Sequence, residues 1–229
     1  MQKYSADNIS DDNIINGKTL LIDKPLNWTS FDAVKYIRRS LTSKFKIKKI
    51  KVGHAGTLDP LASGLLIICI GKQTKKISEY QNLPKSYTGR FKLGESTPSY
   101  DRETEVNKSF SYSHINESDL NNLAKKFIGK KMQKPPVYSA IKKDGKRMYE
   151  YARKNIKIEI QERKIEIYEF EITNFSSPYV EFIIKCSKGT YIRSIANDFG
   201  QRLNSGSFLY ELRRTGIGDF SILNALKIQ

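Results

Sequence analysis

The sequence predicts an α+β fold, with helices and loops flanking a mixed, largely antiparallel central sheet. Two observations carry this. Strand-like and helix-like segments are interspersed without the strict alternation that builds a doubly wound parallel sheet. The 229 residues include 38% hydrophobic and 11% aromatic side chains, enough for a self-sufficient core, and show no internal repeat or heptad.

Residues 1–17 are polar and read as a flexible tail, so folding is expected to begin at Lys18. Thr19 to Ile22 form a short strand, and Asp23-Lys24-Pro25 turns the chain. Thr29 or Ser30 caps a helix whose apolar face is Phe31, Val34, Ile37 and Leu41. Residues 44–53, KFKIKKIKVG, hold five lysines among apolar residues. They suit an edge strand guarded by charge, a rim for phosphates, or both. Residues 54–64 have no periodicity and form an ordered loop, while Leu65 to Ile70 is continuously apolar, as a fully buried strand is. A helix is expected from Thr74 to Tyr80 and a strand from Ser86 to Leu93. Residues 94–116 read as loop, and Ser118 to Phe127 as a helix with Leu120, Leu123, Ala124 and Phe127 on one face. A basic loop over 129–146, a short helix from Arg147 to Lys154 and two strands over 156–172 come next. Tyr179 to Cys186 is a strand, Ile192 to Leu203 a helix, and Leu209 to Phe220 an irregular strand region. The expected organisation is one domain over 18–229, with an inserted RNA-gripping segment around 94–146.

Lys plus Arg number 40 against 24 Asp plus Glu, a net charge of +16, which points to a polyanion and most often to nucleic acid. No apolar run reaches the ~18 residues that span a bilayer, so no membrane association is expected. The N-terminus lacks the basic and apolar regions of a secretory signal, so a cytoplasmic location is expected. Cys69 and Cys186 lie in apolar runs, and with only His54 and His114 beside them a metal centre is poorly supported.

Gly56-Thr57-Leu58-Asp59-Pro60 is the segment suited to chemistry. Pro60 restricts Asp59 to extended conformations, and Gly56 and Gly64 permit close backbone approach. The loop runs directly into the buried strand, which would hold a carboxylate on rigid support as nucleophile or general base; alternatively Asp59 only stabilises a turn. Arg193, between a strand and a helix, suits either a buried partner that keeps Asp59 ionised or a surface phosphate contact. Tyr87 and Tyr191 could stack on an unpaired base or sit half-buried in the sheet. His54 could stack on RNA or serve as a loop donor.

Residues 53–75, GHAGTLDPLASGLLIICIGKQTK, closely resemble the catalytic motif of the TruB-type tRNA pseudouridine synthases. LLIDKPLNWTSFDAV at 20–34, PPVYSAIKKDGKRMYEYAR at 135–153, CSKGTYIRSIANDFG at 186–200 and LRRTGIGDF at 212–220 match in the same order. The resemblance covers roughly residues 18–222. It implies the pseudouridine synthase fold and isomerisation of the uridine at position 55 in the tRNA T loop. It further implies that Asp59 is the catalytic aspartate and that Arg193 pairs with it. Tyr87 would stack on the target uracil, His54 would fill the space left by flipped nucleotides, and Tyr191 and Leu212 would line the uracil pocket. Lys24 and Pro25 would support the site. Neither cofactor nor metal is implied. The T-arm of tRNA is the expected partner and a monomer the expected state. The chain is expected to be a short form without the C-terminal PUA-type domain of many bacterial members. The two rivals are a non-catalytic RNA-binding or tRNA-folding protein on the same fold and a glycosidic-bond hydrolase. The first would not need Asp59 and Arg193 together. Most hydrolases need a second carboxyl group, and none stands out in the matched motifs.

Overall fold

A computed structural model describes residues 2–139, 141–143, 145–154, 156 and 158–228. Ala140 and Asp144, within the expected basic loop, Asn155, and Lys157, at the start of the expected strand pair, lie outside the described residues. So do Met1, in the expected tail, and Gln229. In chain order the main elements are α1 (Asp11–Asn16), β1 (Lys18–Lys24), α2 (Ser30–Phe45), β2 (Val52–His54), β3 (Ala62–Ile70), α3 (Ile77–Asn82) and β4 (Lys85–Leu93). They continue with α4 (Glu117–Phe127), β5 (Gly129–Gln133), α5 (Met148–Arg153), β6 (Arg163–Ser176), β7 (Tyr179–Cys186), α6 (Ile192–Arg202), β8 (Ser207–Ile217) and β9 (Leu226–Lys227). The chain divides into two compact units, residues 1–88 with 212–229 and residues 89–211.

The first unit is organised by β3. Antiparallel pairing with β1 runs from Lys18↔Ile70 to Lys24↔Gly64, and β9 adds to β1 in parallel. The end of β8 runs parallel to the start of β3, matching Leu212, Arg213 and Arg214 to Ala62, Ser63 and Gly64. Alternate residues of β3 feed two cores. Leu66, Ile68 and Ile70 pack with Ala33, Val34, Ile37 and Leu41 of α2, whereas Leu65, Ile67 and Cys69 pack with Ala55, Ile217 and Ala225. All six of these β3 side chains are fully buried, which explains a continuous apolar run where a one-sided strand would alternate.

Thr29 caps α2 through a reciprocal pair: its hydroxyl accepts from the Asp32 amide at 3.0 Å, and the Asp32 carboxylate accepts from the Thr29 amide at 2.9 Å. Phe31, expected on the apolar face, is 58% exposed. It follows buried Ser30 by one residue and so lies ~100° around the helix from it; Ala33 is buried instead. The expected tail is also structured. Ser10 caps α1, Tyr4 and Ile9 are buried in the α2 core, and the Tyr4 hydroxyl lies 2.8 Å from that of Ser40. Ala6 and Ile14 pack against the same core, and Lys44 Nζ donates to the Ala6 and Ile9 carbonyls at 2.8 and 2.9 Å, which together dock this otherwise polar segment. The lysine-rich stretch is not an edge strand over its length, because α2 extends to Phe45, Lys46 ends it at φ 50°, and pairing begins at Val52.

In the second unit a cluster of phenylalanines forms the core. Phe91 lies 4.3 Å from Phe182 between ring centroids, and Phe170 and Phe199 are 5.6 Å apart. Phe127 of α4 joins them, and Leu120, Leu123 and Ala124 are buried with it, as the spacing predicts. One long strand, β6, replaces the two expected over 156–172. Its register shifts between Ile167 and Glu169, which moves the buried positions from Ile165 and Ile167 to Phe170 and Ile172. That bulge is why the alternation reads as two strands. β5 lies where a loop was expected because Gly129 to Gln133 pair along β6 from Ile167 to Arg163.

Ile67→Ala should lower the free energy of unfolding by ~2–5 kcal/mol, since nothing in a doubly packed strand can collapse into the cavity. Phe31→Ala should change it by under ~0.5 kcal/mol. Urea denaturation of the two variants decides this; comparable losses would mean that the apolar face of α2 is misassigned.

Candidate active site

The loop carrying Asp59 is held from both ends by backbone and side-chain bonds. The Ala55 amide donates to the Ile67 carbonyl at 2.9 Å, and the Ala62 amide to the Asp59 carbonyl at 3.1 Å. Buried Ser30 clamps the middle, donating to the Leu58 carbonyl at 3.0 Å and accepting from the Leu58 amide at 2.8 Å. Arg214, 1% exposed, spans loop and strand. Its Nε donates to the Leu65 carbonyl at 2.7 Å, and its two Nη groups donate to the Thr57 and Gly56 carbonyls at 3.3 and 3.2 Å. Gly64 makes this possible. Its φ is 107°, and a Cβ there would come within 2.3 Å of the Arg214 carbonyl oxygen. The resulting loop presents a half-buried Asp59 on a fixed backbone.

Lys24 is fully buried below this loop, donating to the carbonyls of Trp28 at 2.6 Å and Pro25 at 2.8 Å. Burial lowers its pKa to about 8, against the attraction of the Asp59 carboxylate, while Arg214 adds to the depression. His54, at the end of β2 opposite Ile68, has its pKa lowered by burial and by the Arg214 cation, so its imidazole is neutral at pH 7. Leu212 sits opposite Ala62, three residues beyond Asp59, and Arg213 beside it holds Asp23 bidentately at 2.8 and 3.0 Å. Tyr87 is a buried residue of β4 in the same unit. Asp59, His54, Leu212 and Tyr87 therefore belong to the first unit.

Tyr191 and Arg193 belong to the second. Tyr191 is the residue preceding α6, and Arg193, 5% exposed, lies in the first turn of that helix. Its Nη1 donates to the Tyr138 carbonyl at 2.8 Å and the Ser99 carbonyl at 3.4 Å, and its Nε lies 3.5 Å from Asp101 Oδ2. Asp101 is itself buried and accepts from the Glu103 amide at 2.9 Å. Buried Gln133 binds both backbone groups of Tyr191, accepting from its amide at 2.9 Å and donating to its carbonyl at 3.0 Å.

Sequence reasoning missed Asp101, Gln133 and Arg214. Asp101 stands in a polar stretch read as loop, and Gln133 in a segment read as basic loop. Arg214 is one arginine among many in a strongly basic chain. The only local clue was Arg213-Arg214 in a segment otherwise expected as strand. No described group of His, Cys, Asp and Glu could hold a metal ion, and no described helix is long and apolar enough to cross a membrane.

The environment of Lys24 makes stability pH-dependent. Its folded pKa lies below the ordinary 10.5, so between about pH 8 and 10.5 the unfolded chain binds more protons. Its contribution to stability therefore rises with pH through that window, by at most ~1.4 kcal/mol per pH unit. Unfolding free energies measured at pH 8, 9 and 10 should climb less steeply in Lys24→Met than in the parent. Parallel profiles would exclude a depressed Lys24.

A family model described as TruB family pseudouridylate synthase (N terminal domain) matches residues 42–192. The tRNA pseudouridine synthase B of Flavobacterium johnsoniae is 56% identical over 215 residues, covering 93% of this chain and 94% of that protein. That of Chloroherpeton thalassium is 53% identical, covering 92% of this chain and 87% of its own length. Among solved structures, a chain of a Cbf5-Nop10-Gar1 complex superposes with a TM-score of 0.72 at 24% identity, covering 99% of this chain and 57% of that longer one, and shares its fold. With two thirds of its length inside the family match and close relatives along nearly all of it, the chain belongs to the TruB family of pseudouridylate synthases.

Proposed function

We infer that this chain isomerises uridine to pseudouridine in tRNA. The observation that carries this is Asp59, fixed by Arg214 and Ser30 within the segment that the family match spans. We propose further that the target is the uridine at position 55 of the T loop, that the enzyme works as a cytoplasmic monomer, and that the base is flipped out of its stack to react.

The reaction breaks the N1–C1′ bond, turns the uracil and joins C5 to C1′; the proton leaves C5 and N1 regains one, so no oxidant or second substrate is consumed. In the proposed assignment Asp59 acts as its carboxylate, either attacking the sugar or removing a sugar proton. The buried Lys24 ammonium attracts that carboxylate. Arg193 is proposed to pair with Asp59 as well as with Asp101. Tyr87 is proposed to stack on the uracil, with Tyr191 and Leu212 as walls that keep the detached base from escaping. His54, neutral at pH 7, can fill an apolar gap left by the flipped nucleotides without the cost of burying a charge.

Asp59→Asn keeps the shape of the side chain and removes its charge. Turnover on tRNA should fall at least ~10⁴-fold, about 5.5 kcal/mol of barrier. The dissociation constant should barely move, because phosphate contacts dominate affinity. Pseudouridine mapping and filter binding measure the two; near-parental turnover would remove Asp59 from the chemistry. The net charge of +16 yields a separate expectation. The logarithm of tRNA affinity should fall linearly with that of salt, with a slope of −0.7 to −0.9 per neutralised phosphate and several units in all. A titration that is flat in salt would show the basic surface to be idle.

A further inference from the structure

We propose that Gln133 is a positioning residue for the reaction, acting through the backbone of Tyr191 on the start of α6 and hence on Arg193. This rests on the assignment of Tyr191 and Arg193 above. Gln133 closes β5, pairing with Arg163 of β6, and is 4% exposed. Its carboxamide meets both backbone groups of a single residue, with N–H to oxygen at 2.9 Å and N–H to carbonyl at 3.0 Å. A primary amide is the side chain that can both accept from a backbone amide and donate to a backbone carbonyl in one plane.

A second bond ties the same two elements. Ser194 Oγ donates to the carbonyl of Lys134, the residue after Gln133, at 2.7 Å. Residues 191 and 194 are thereby fastened on either side of Arg193, whose own guanidinium is held by Tyr138, Ser99 and Asp101. Tyr191 is half-buried, and the Gln133 bonds act on its backbone. A loose anchor would let the first turn of α6 shift, and a misplacement of ~1 Å at a reacting centre costs on the order of 100-fold in rate.

The test is single-turnover conversion of tRNA with saturating enzyme, whose rate constant does not depend on the fraction of enzyme that is folded. Gln133→Met, which removes donor and acceptor, should slow that rate constant ten- to hundredfold while the tRNA dissociation constant stays within about twofold. Gln133→Glu keeps the acceptor for the Tyr191 amide and loses the donor to its carbonyl; it should be slowed less than Gln133→Met, and it carries the test if the methionine variant does not fold. In an Arg193→Lys background either substitution should slow the reaction by less than threefold further, because its effect passes through Arg193. An unchanged rate constant in a folded variant, or full additivity with Arg193→Lys, overturns the role of Gln133. If the parent itself makes no pseudouridine, the assigned reaction fails instead, so the two failures are distinguishable.

Discussion

The close approach of β8 to β3 at Gly64 is the constraint on which the catalytic loop depends. Parallel pairing there requires that no Cβ stand between Gly64 and the Arg214 backbone. Once the strands meet, the Arg214 side chain is directed inward and its guanidinium finds the carbonyls of Leu65, Thr57 and Gly56. A planar fork with five donors can span these three acceptors, where an ammonium could not. A buried, charged donor without acceptors would be costly, so the loop carbonyls and the arginine hold each other in place. The sharp loop before β3 is thus fixed by a residue more than 150 positions away, and Asp59 inherits that rigidity.

The same solution recurs wherever a cation is buried. Among the described residues, Lys24, Lys85, Arg193 and Arg214 are buried, while Asp101 is the only buried acid. Lys24 serves the carbonyls of Pro25 and Trp28, and Lys85 those of Gln81 and Leu83 at the end of α3. Arg193 serves those of Tyr138 and Ser99. With one buried carboxylate among the described residues, Asp101 beside Arg193, backbone carbonyls serve as acceptors for these cations. The positive charge is therefore kept rather than neutralised. That keeps the field favourable to a carboxylate and to an anionic polymer alike.

Much of the fold was legible because the relevant signals are local. The apolar face of α4, the limits of β7 and the doubly buried β3 all follow from periodicity over fewer than a dozen residues. The failures share a different origin. The bulge in β6 breaks a period-2 pattern and looks like a strand boundary. The polar segment before β1 docks through buried Tyr4 and Ile9, with Ala6 and Ile14 packed against the same core, too scattered to register as a pattern. Asp59 could be singled out because glycine and proline mark a constrained backbone on either side of it. Arg214, Asp101 and Gln133 could not, since each acts through a partner distant in sequence and nothing in the neighbouring residues announces it.

Each half of the proposed constellation is made rigid inside its own unit. In the first, Arg214 and Ser30 fix the loop of Asp59 through its backbone, and Lys24 fixes the turn at Pro25 and Trp28; in the second, Gln133, Ser194 and Asp101 fix the start of α6 around Arg193. In both cases the fastening groups named here bind backbone groups or the Arg193 guanidinium. This fastening matters for an isomerase that must retain its detached uracil while turning it. The walls of such a pocket must be adaptable enough to admit two orientations of one base, yet the carboxylate and its cations must not move between them. Anchoring the Tyr191 backbone through Gln133, and the Asp59 loop through Arg214 and Ser30, fixes each segment within its own unit through main-chain groups.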